Sequence, residues 1–321
     1  MSLNRPIWKL RDWIDIDKLN WSELSKNPNA LKMLEENEDK IDWFQLNYNP
    51  NAFYLFERNY KKIDWIILSR NSNNTKILEE NPDKINWNYL SLNPNAIKLL
   101  EENPDKINWN YLSLNPNAIK LLEENPDKIN WSYFSRNENG IRLLEQNRDK
   151  IDWSHLSVNI NAIELLKNEI LKNRRNKINW SVLSSNPNAI SILKDNLNKI
   201  NWIYLSCNPN ALKILEANKD KICWKCLSFN EGAIPLIEKN LDKINWKNLS
   251  FNEGAIKILE ANKDKIYWYN ISSNPSIFEL DYEAMKIANE RMYEELIKEV
   301  MRPSRVFKYP DYDYLEELFG D

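Results

Sequence analysis

Residues 109–130 read WNYLSLNPNAIKLLEENPDKIN, and the return of this pattern along the chain decides the fold. Trp109 opens it. Trp21, Trp43, Trp65, Trp87, Trp109, Trp131 and Trp153 stand 22 residues apart, and after one step of 27 Trp180, Trp202, Trp224, Trp246 and Trp268 resume the spacing. A short fixed period means a stacked repeat array, not the two compact domains that a length of 321 residues would otherwise suggest.

Counting each repeat from its Trp as offset 0, two short helices are expected. Asn or Asp precedes ten of the twelve tryptophans (Asn20, Asp42, Asp64, Asn86 and so on). Its side-chain oxygen can accept from a backbone N–H left free at a helix start. Trp, Leu and Ser at 0, +3 and +4 then share one helical face. Asn recurs at +6 in all twelve repeats, followed by Pro in seven and by Glu in three (Glu138, Glu231, Glu253). Pro suits the first helical position and an acidic residue suits the positive end of the dipole. The second helix is therefore predicted to start directly after this Asn. It would bury Ala, Ile and Leu at +9, +10, +12 and +13, an arc of about 160°. Asn at +16 predicts a left-handed stop, and D-K-I leads to the next cap.

Helices of about two turns are unstable alone, so stability must come from neighbouring repeats. On this reading the Trp-Leu-Ile-Leu set is the spine of the array, each buried Trp contributing ~4–6 kcal/mol before entropy. A leucine-rich-repeat-like coil would need an L-x-L strand before the Asn. The segment W-x-x-L-S-x-N has helical spacing instead. The predicted fold is an all-α, elongated solenoid of about twelve two-helix repeats with capping segments at both ends. Eleven steps of ~8–10 Å would give a contour on the order of 100 Å. Residues 1–20 are read as an N-terminal cap, 21–276 as the solenoid, and 277–321 as a capping helix with an acidic-aromatic tail.

The departures from the consensus carry the functional readings. A five-residue insertion near 167–175 continues the face of Ala162, Leu166 and Ile170, so the second helix of that repeat should lengthen, with Arg174 and Arg175 near its end. The outer offsets +1, +2 and +5 of the Trp-bearing helix vary. They hold Tyr89, Tyr111, Tyr133, His155 and Tyr204 at +2, and Leu92, Leu114, Val158, Phe229 and Phe251 at +5. Such residues either pack on the next repeat or form a semi-exposed strip fit to bind a protein partner. Lys at +11 with Glu three or four residues on, and Lys at +19, read as a solvated, salt-bridged face. Asp281 is expected to cap a helix over 282–301 with Met285, Ala288, Met292, Leu296 and Val300 on one side, before Pro303, Arg305, Lys308 and the tail. Ile7, Trp8 and Trp13 fall outside the register and are assigned to the N-terminal cap.

Composition narrows the function. With 44 Lys+Arg against 47 Asp+Glu, nothing in the balance of charge points to nucleic acid or an anionic membrane. Four glycines leave little for phosphate loops, and three cysteines cannot close a disulfide framework, which suits a reducing compartment. No apolar run is long enough to span a bilayer, and the opening MSLNRPIWKLRDW lacks the apolar core of a signal peptide. Cys223 and Cys226 form a C-x-x-C without a second pair, so neither structural zinc nor a redox motif is assigned and the pair reads as drift within the repeat. His155 stands where neighbouring repeats carry Tyr, and a serine used eleven times at +4 is a bonding element rather than a nucleophile. No catalytic residues, cofactor or metal are expected.

The motif W-x-x-L-S-x-N-P-N-A-I-x-L-L-E-E-N-x-D-K-I, in register from Trp21 to about Asn274, resembles the tandem short-repeat proteins of giant DNA viruses of the mimivirus type. The segments IFELDYEAM from Ile277 and MRPSRV from Met301 are similar to the tail that closes many of them, although FKYPDY follows here. The resemblance implies a viral protein, largely uncharacterised as a family, with no catalytic residues to carry over. The expectation is a protein–protein interaction scaffold in the host cytoplasm, with an unidentified protein partner. The alternative is a structural component of the virion or virus factory.

Overall fold

The computed structural model describes residues 6–71, 75–172 and 177–300. They form two compact bodies, one over Trp13–Ile277 and a smaller one of residues 6–12 with 278–300.

The larger body is the repeat array, and it is an all-α solenoid. In the quoted repeat, helix Trp109–Leu112 is followed by helix Ile119–Glu124 and by a 3-10 turn, Pro126–Lys128. Residues 87–108 have the identical sequence and the same succession of elements. The segment before the +6 Asn is helical, which removes the strand-bearing coil.

Two local expectations are corrected. The second helix begins at +10 rather than directly after the +6 Asn, because that Asn first closes a turn of its own: Asn115 Oδ1 accepts from Asn117 N at 3.0 Å. Pro or Glu enters this turn, which is a 3-10 helix at Pro187–Ala189, Glu231–Ala233 and Glu253–Ala255. The +16 Asn does stop the second helix, but with φ of −131° at Asn125 and not in the left-handed region. Its side-chain amide donates to the carbonyl four residues back, Asn125 Nδ2 to Leu121 O at 2.9 Å. An orphan carbonyl satisfied in this way needs no left-handed residue.

Polar ladders join repeat to repeat. Ser113 Oγ donates to Trp109 O at 2.7 Å and accepts from the next cap residue, Asn130 N, at 3.0 Å. Where repeat two has Asn47 in place of this Ser, the amide makes both bonds, to Trp43 O at 2.7 Å and from Asp64 N at 2.8 Å. The +6 Asn is buried and reaches back one repeat, Asn115 Nδ2 donating to Ser91 O at 3.1 Å and Asn93 O at 3.0 Å. Around these ladders the core is Leu at +3, Ala at +9, Leu at +13 and Ile at +20, as in Leu112, Ala118, Leu122 and Ile129.

Tryptophan is not the spine. Of the twelve in-register indoles only Trp153 is buried; the others are half-buried. The Trp opens its helix, and side chains lean toward the helix N-terminus, so the ring overhangs the repeat edge. The +19 Lys covers it: Lys40 Nζ lies 4.5 Å from the Trp21 ring, Lys106 4.6 Å from Trp87, and Lys221 4.8 Å from Trp202. In these repeats that Lys is a cation–π lid, while Lys84, also at +19, pairs with Asp83 at 3.2 Å as expected. The +11 lysines do pair on the surface as expected, Lys98 with Glu102 at 3.8 Å and Lys120 with Glu124 at 3.9 Å.

The array has no free ends. Asn27 of the first repeat makes the ladder bonds to the last one, Nδ2 to Ser272 O at 3.1 Å and to Asn274 O at 2.9 Å. Asn20 N donates to Ser272 Oγ at 2.9 Å, and Asn29 Nδ2 to Pro275 O at 3.1 Å. Each is the bond that an interior junction makes, so the twelve repeats close on themselves where open, capped ends were expected. Closure works through a split repeat. Residues 268–277 supply its first helix and turn (Trp268–Ile271, Pro275–Ile277), and the chain then leaves before a second helix forms. The trailing 3-10 turn comes from the other end of the chain, Ile16–Lys18, and Lys18 Nζ lies 5.2 Å from the Trp268 ring as a +19 Lys should. Trp13, assigned to a cap, sits beside the eleventh repeat's turn under Lys263 Nζ at 5.8 Å.

The insertion behaves as expected. The helix runs Ile163–Leu171, with Ala162, Leu166 and Ile170 buried; Arg174 and Arg175 lie outside the described residues. One substitution pair shows how tight the core is. Phe134 replaces the +3 Leu in the repeat whose +9 Ala is Gly140, and a Cβ on Gly140 would come within 2.6 Å of Phe134 Cζ.

In the smaller body the strands β1 (Trp8–Leu10) and β2 (Phe278–Leu280) pair antiparallel, Lys9 opposite Glu279. Helix Tyr282–Val300 follows, capped by Asp281 Oδ1, which accepts from Ala284 N at 2.9 Å. Ile287, Tyr293 and Ile297 on it are exposed. The positions after residue 300, Arg305 and Lys308 included, lie outside the described residues.

Candidate functional site

The outer row of the Trp-bearing helices is built by the caps. Asn86 Oδ1 accepts from Tyr89 N at 3.2 Å and Asn108 Oδ1 from Tyr111 N at 3.2 Å, which fixes each +2 residue on the first turn. The +5 residue follows the buried +4 Ser and so emerges beside it. Ten residues were singled out on this row. Val158, Tyr204, Phe229 and Phe251 are exposed, the last three by 47%, 47% and 37%. Tyr89, Leu92, Tyr111, Leu114, Tyr133 and His155 are half-buried. Two pairs are brought together as stacks across a junction, Tyr89 with Tyr111 at 6.1 Å and Phe229 with Phe251 at 6.0 Å between ring centroids.

Sequence reasoning named +1 as an outer offset but assigned no residue there. Phe44, Ile66, Ile203 and Tyr269 occupy it and are among the most exposed large side chains, with Tyr48 at +5 and Tyr267 in a cap slot. Phe44 meets Tyr48 edge to face at 6.0 Å. The available signal was the substitution itself: an apolar residue at an offset where other repeats carry Ser, Asn or Lys. Tyr269 also bonds across the closing junction, and this hydrogen bond to the Glu23 carboxylate raises its phenol above the ordinary value.

His155 lies in a Ser–His–Asp contact that performs no relay. Its Nδ1 is 2.8 Å from Asp152 Oδ2 and 3.1 Å from Ser132 Oγ, while Ser132 Oγ donates to the same Asp152 oxygen at 2.9 Å. A hydrolytic triad places Ser and Asp on opposite ring nitrogens, whereas here both meet one. Burial opposes ionisation of Asp152, yet bonds from His155 N, His155 Nδ1 and Ser132 hold its carboxyl below the usual range. The carboxylate is a helix cap. Among the described residues no group of three His, Cys, Asp or Glu side chains is arranged to hold a metal ion, and no helix is long and apolar enough to cross a membrane.

In the smaller body an open pocket of about 640 Å³ lies against the strands, lined by Trp8, Lys9, Arg11, Glu279 and Tyr282 among others. Both of its cations meet one carboxylate: Glu279 takes Arg11 Nη1 at 3.0 Å and Lys9 Nζ at 3.4 Å, and that contact raises the Lys9 ammonium above its ordinary value.

No family model, curated protein or solved structure matches the chain.

Proposed function

We propose that the chain is a non-enzymatic scaffold that binds a protein partner along the outer row of its Trp-bearing helices. The observation that carries this reading is the exposed Phe229–Phe251 stack, with Phe44, Tyr48, Ile203 and Tyr204 also exposed along the same row. Large rings exposed at successive repeats are what a partner surface requires, since aromatic anchors dominate protein interfaces. The viral setting, in the cytoplasm of an infected host, rests on the resemblance of the repeat motif to the giant-virus proteins.

The test compares wild type with a Phe229→Ser, Phe251→Ser variant in affinity capture from infected cells. Loss of a specific protein by about tenfold or more, with the thermal midpoint held within a few degrees, is the expected result. Identical captures from both would remove this row as the site. Abundance of the chain in purified virions would favour the structural-component reading instead.

A further inference from the structure

The chain's three cysteines occupy three different offsets of the repeat, yet folding brings them to one place. Cys223 fills the cap slot of helix Trp224–Leu227, and Cys226 is the third residue of that helix. Cys207 ends helix Trp202–Ser206 in the preceding repeat. Cys223 Sγ lies 3.1 Å from Cys226 Sγ. From the other side, Cys207 Sγ lies 3.9 Å from the backbone oxygen of Cys226. Cys207 is exposed and the other two are half-buried. The cap slot has given up its usual work here: Cys223 makes no side-chain cap bond, whereas Asn or Asp in most repeats accepts one.

We propose that these thiols form a disulfide-exchange site in which Cys226 is the shared sulfur, bonded to Cys223 in the oxidised protein and reached from solvent through Cys207. A disulfide needs sulfurs about 2.05 Å apart, so closing Cys223 to Cys226 takes a sulfur displacement of only about 1 Å from the observed contact. The oxidant is a small-molecule disulfide, for which glutathione disulfide serves as the probe. The Cys207 thiolate attacks one of its sulfurs and releases one glutathione thiolate. Cys226, deprotonated, attacks the Cys207 sulfur and releases the second. The Cys223 thiolate then attacks the Cys226 sulfur and returns Cys207 as a thiolate. In sum Cys223 and Cys226 lose two electrons and two protons, and one glutathione disulfide becomes two thiols. Burial pushes the Cys226 thiol up to about 12, the neighbouring thiols adding to it, and burial also raises Cys207. The exchange is therefore followed under mildly alkaline conditions, where more thiolate is available.

The experiment incubates the full chain with glutathione disulfide, unfolds it in N-ethylmaleimide and locates the adducts by peptide mass spectrometry. The expected result is one maleimide per oxidised chain, on Cys207, against three in the reduced protein. Cys223→Ser should leave a Cys207–Cys226 bond. Cys207→Ser should still reach the Cys223–Cys226 bond, about tenfold more slowly or worse because its entry thiol is gone. Cys226→Ser should form no internal bond and carry only glutathione adducts. Three maleimides persisting in wild type would overturn the proposal. So would a Cys207–Cys223 bond in Cys226→Ser, or oxidation that yields only disulfides between chains.

Discussion

Replacing Asn27 by alanine should destabilise the protein as much as replacing Asn115, by ~2–4 kcal/mol in each case. Asn115 is buried and makes three bonds: two from Nδ2 to the carbonyls of Ser91 and Asn93, and one accepted from Asn117 N. Alanine removes the amide and strands buried backbone groups, each of which costs about 1–3 kcal/mol when left unsatisfied. Asn27 has the same three bonds, but its carbonyl partners are Ser272 and Asn274, at the far end of the sequence. In an open array the first repeat has no predecessor, and Asn27 would keep only its local bond to Asn29. The two variants would then differ by most of the effect. Chemical denaturation of Asn27→Ala, Asn115→Ala and wild type compares the two positions, with equal losses expected from closure.

The second large effect concerns Gly140. A methyl there would meet the Phe134 ring at 2.6 and 2.9 Å, so Gly140→Ala should cost ~1–3 kcal/mol through overpacking. The Gly140 backbone has φ of −82°, open to alanine, so the cost is one of space alone. Phe134→Leu by itself should also cost ~1–3 kcal/mol, because it leaves a void over the glycine. Together the two substitutions restore the Leu–Ala pair that the quoted repeat carries at Leu112 and Ala118. The double variant should recover most of the loss, giving a coupling that approaches the sum of the two single losses, ~2–6 kcal/mol, in a double-mutant cycle. Simple addition of the two single losses would show that the repeats are not interchangeable in packing.

Much of this fold could be read from the sequence because a period needs no knowledge of distance. The Trp spacing fixed the repeat, and Asn or Asp before Trp located the first helix. The lengthened helix Ile163–Leu171 was visible in the spacing of Ala162, Leu166 and Ile170. The errors came from single residues capable of two roles. The area of Trp makes it read as core, but its place at the first helical position puts the ring on an edge, where Lys at +19 covers it in repeats such as those of Trp21 and Trp87. Asn at +16 suggests a left-handed backbone and acts instead through its amide. Closure was hidden for a different reason: it depends on the small rotation between repeats, which no local pattern encodes. Its one trace was the D-K-L-N of residues 17–20, the end of a repeat standing at the start of the chain. Of the outer row, the offsets were legible but not the exposure, since Tyr89 and Tyr204 share offset +2 and only Tyr204 is exposed.

Closure is the central claim, and electron paramagnetic resonance of one labelled pair tests it most directly. Lys26 and Ser273 hold the same +5 offset in the first and last repeats, as Leu92 and Leu114 do in adjacent interior ones. With the native cysteines replaced, nitroxides on Lys26→Cys and Ser273→Cys should show the same dipolar broadening as nitroxides on Leu92→Cys and Leu114→Cys. An open array of ~8–10 Å steps would hold the first pair on the order of 100 Å apart, and a spectrum without broadening beside a broadened control would contradict closure.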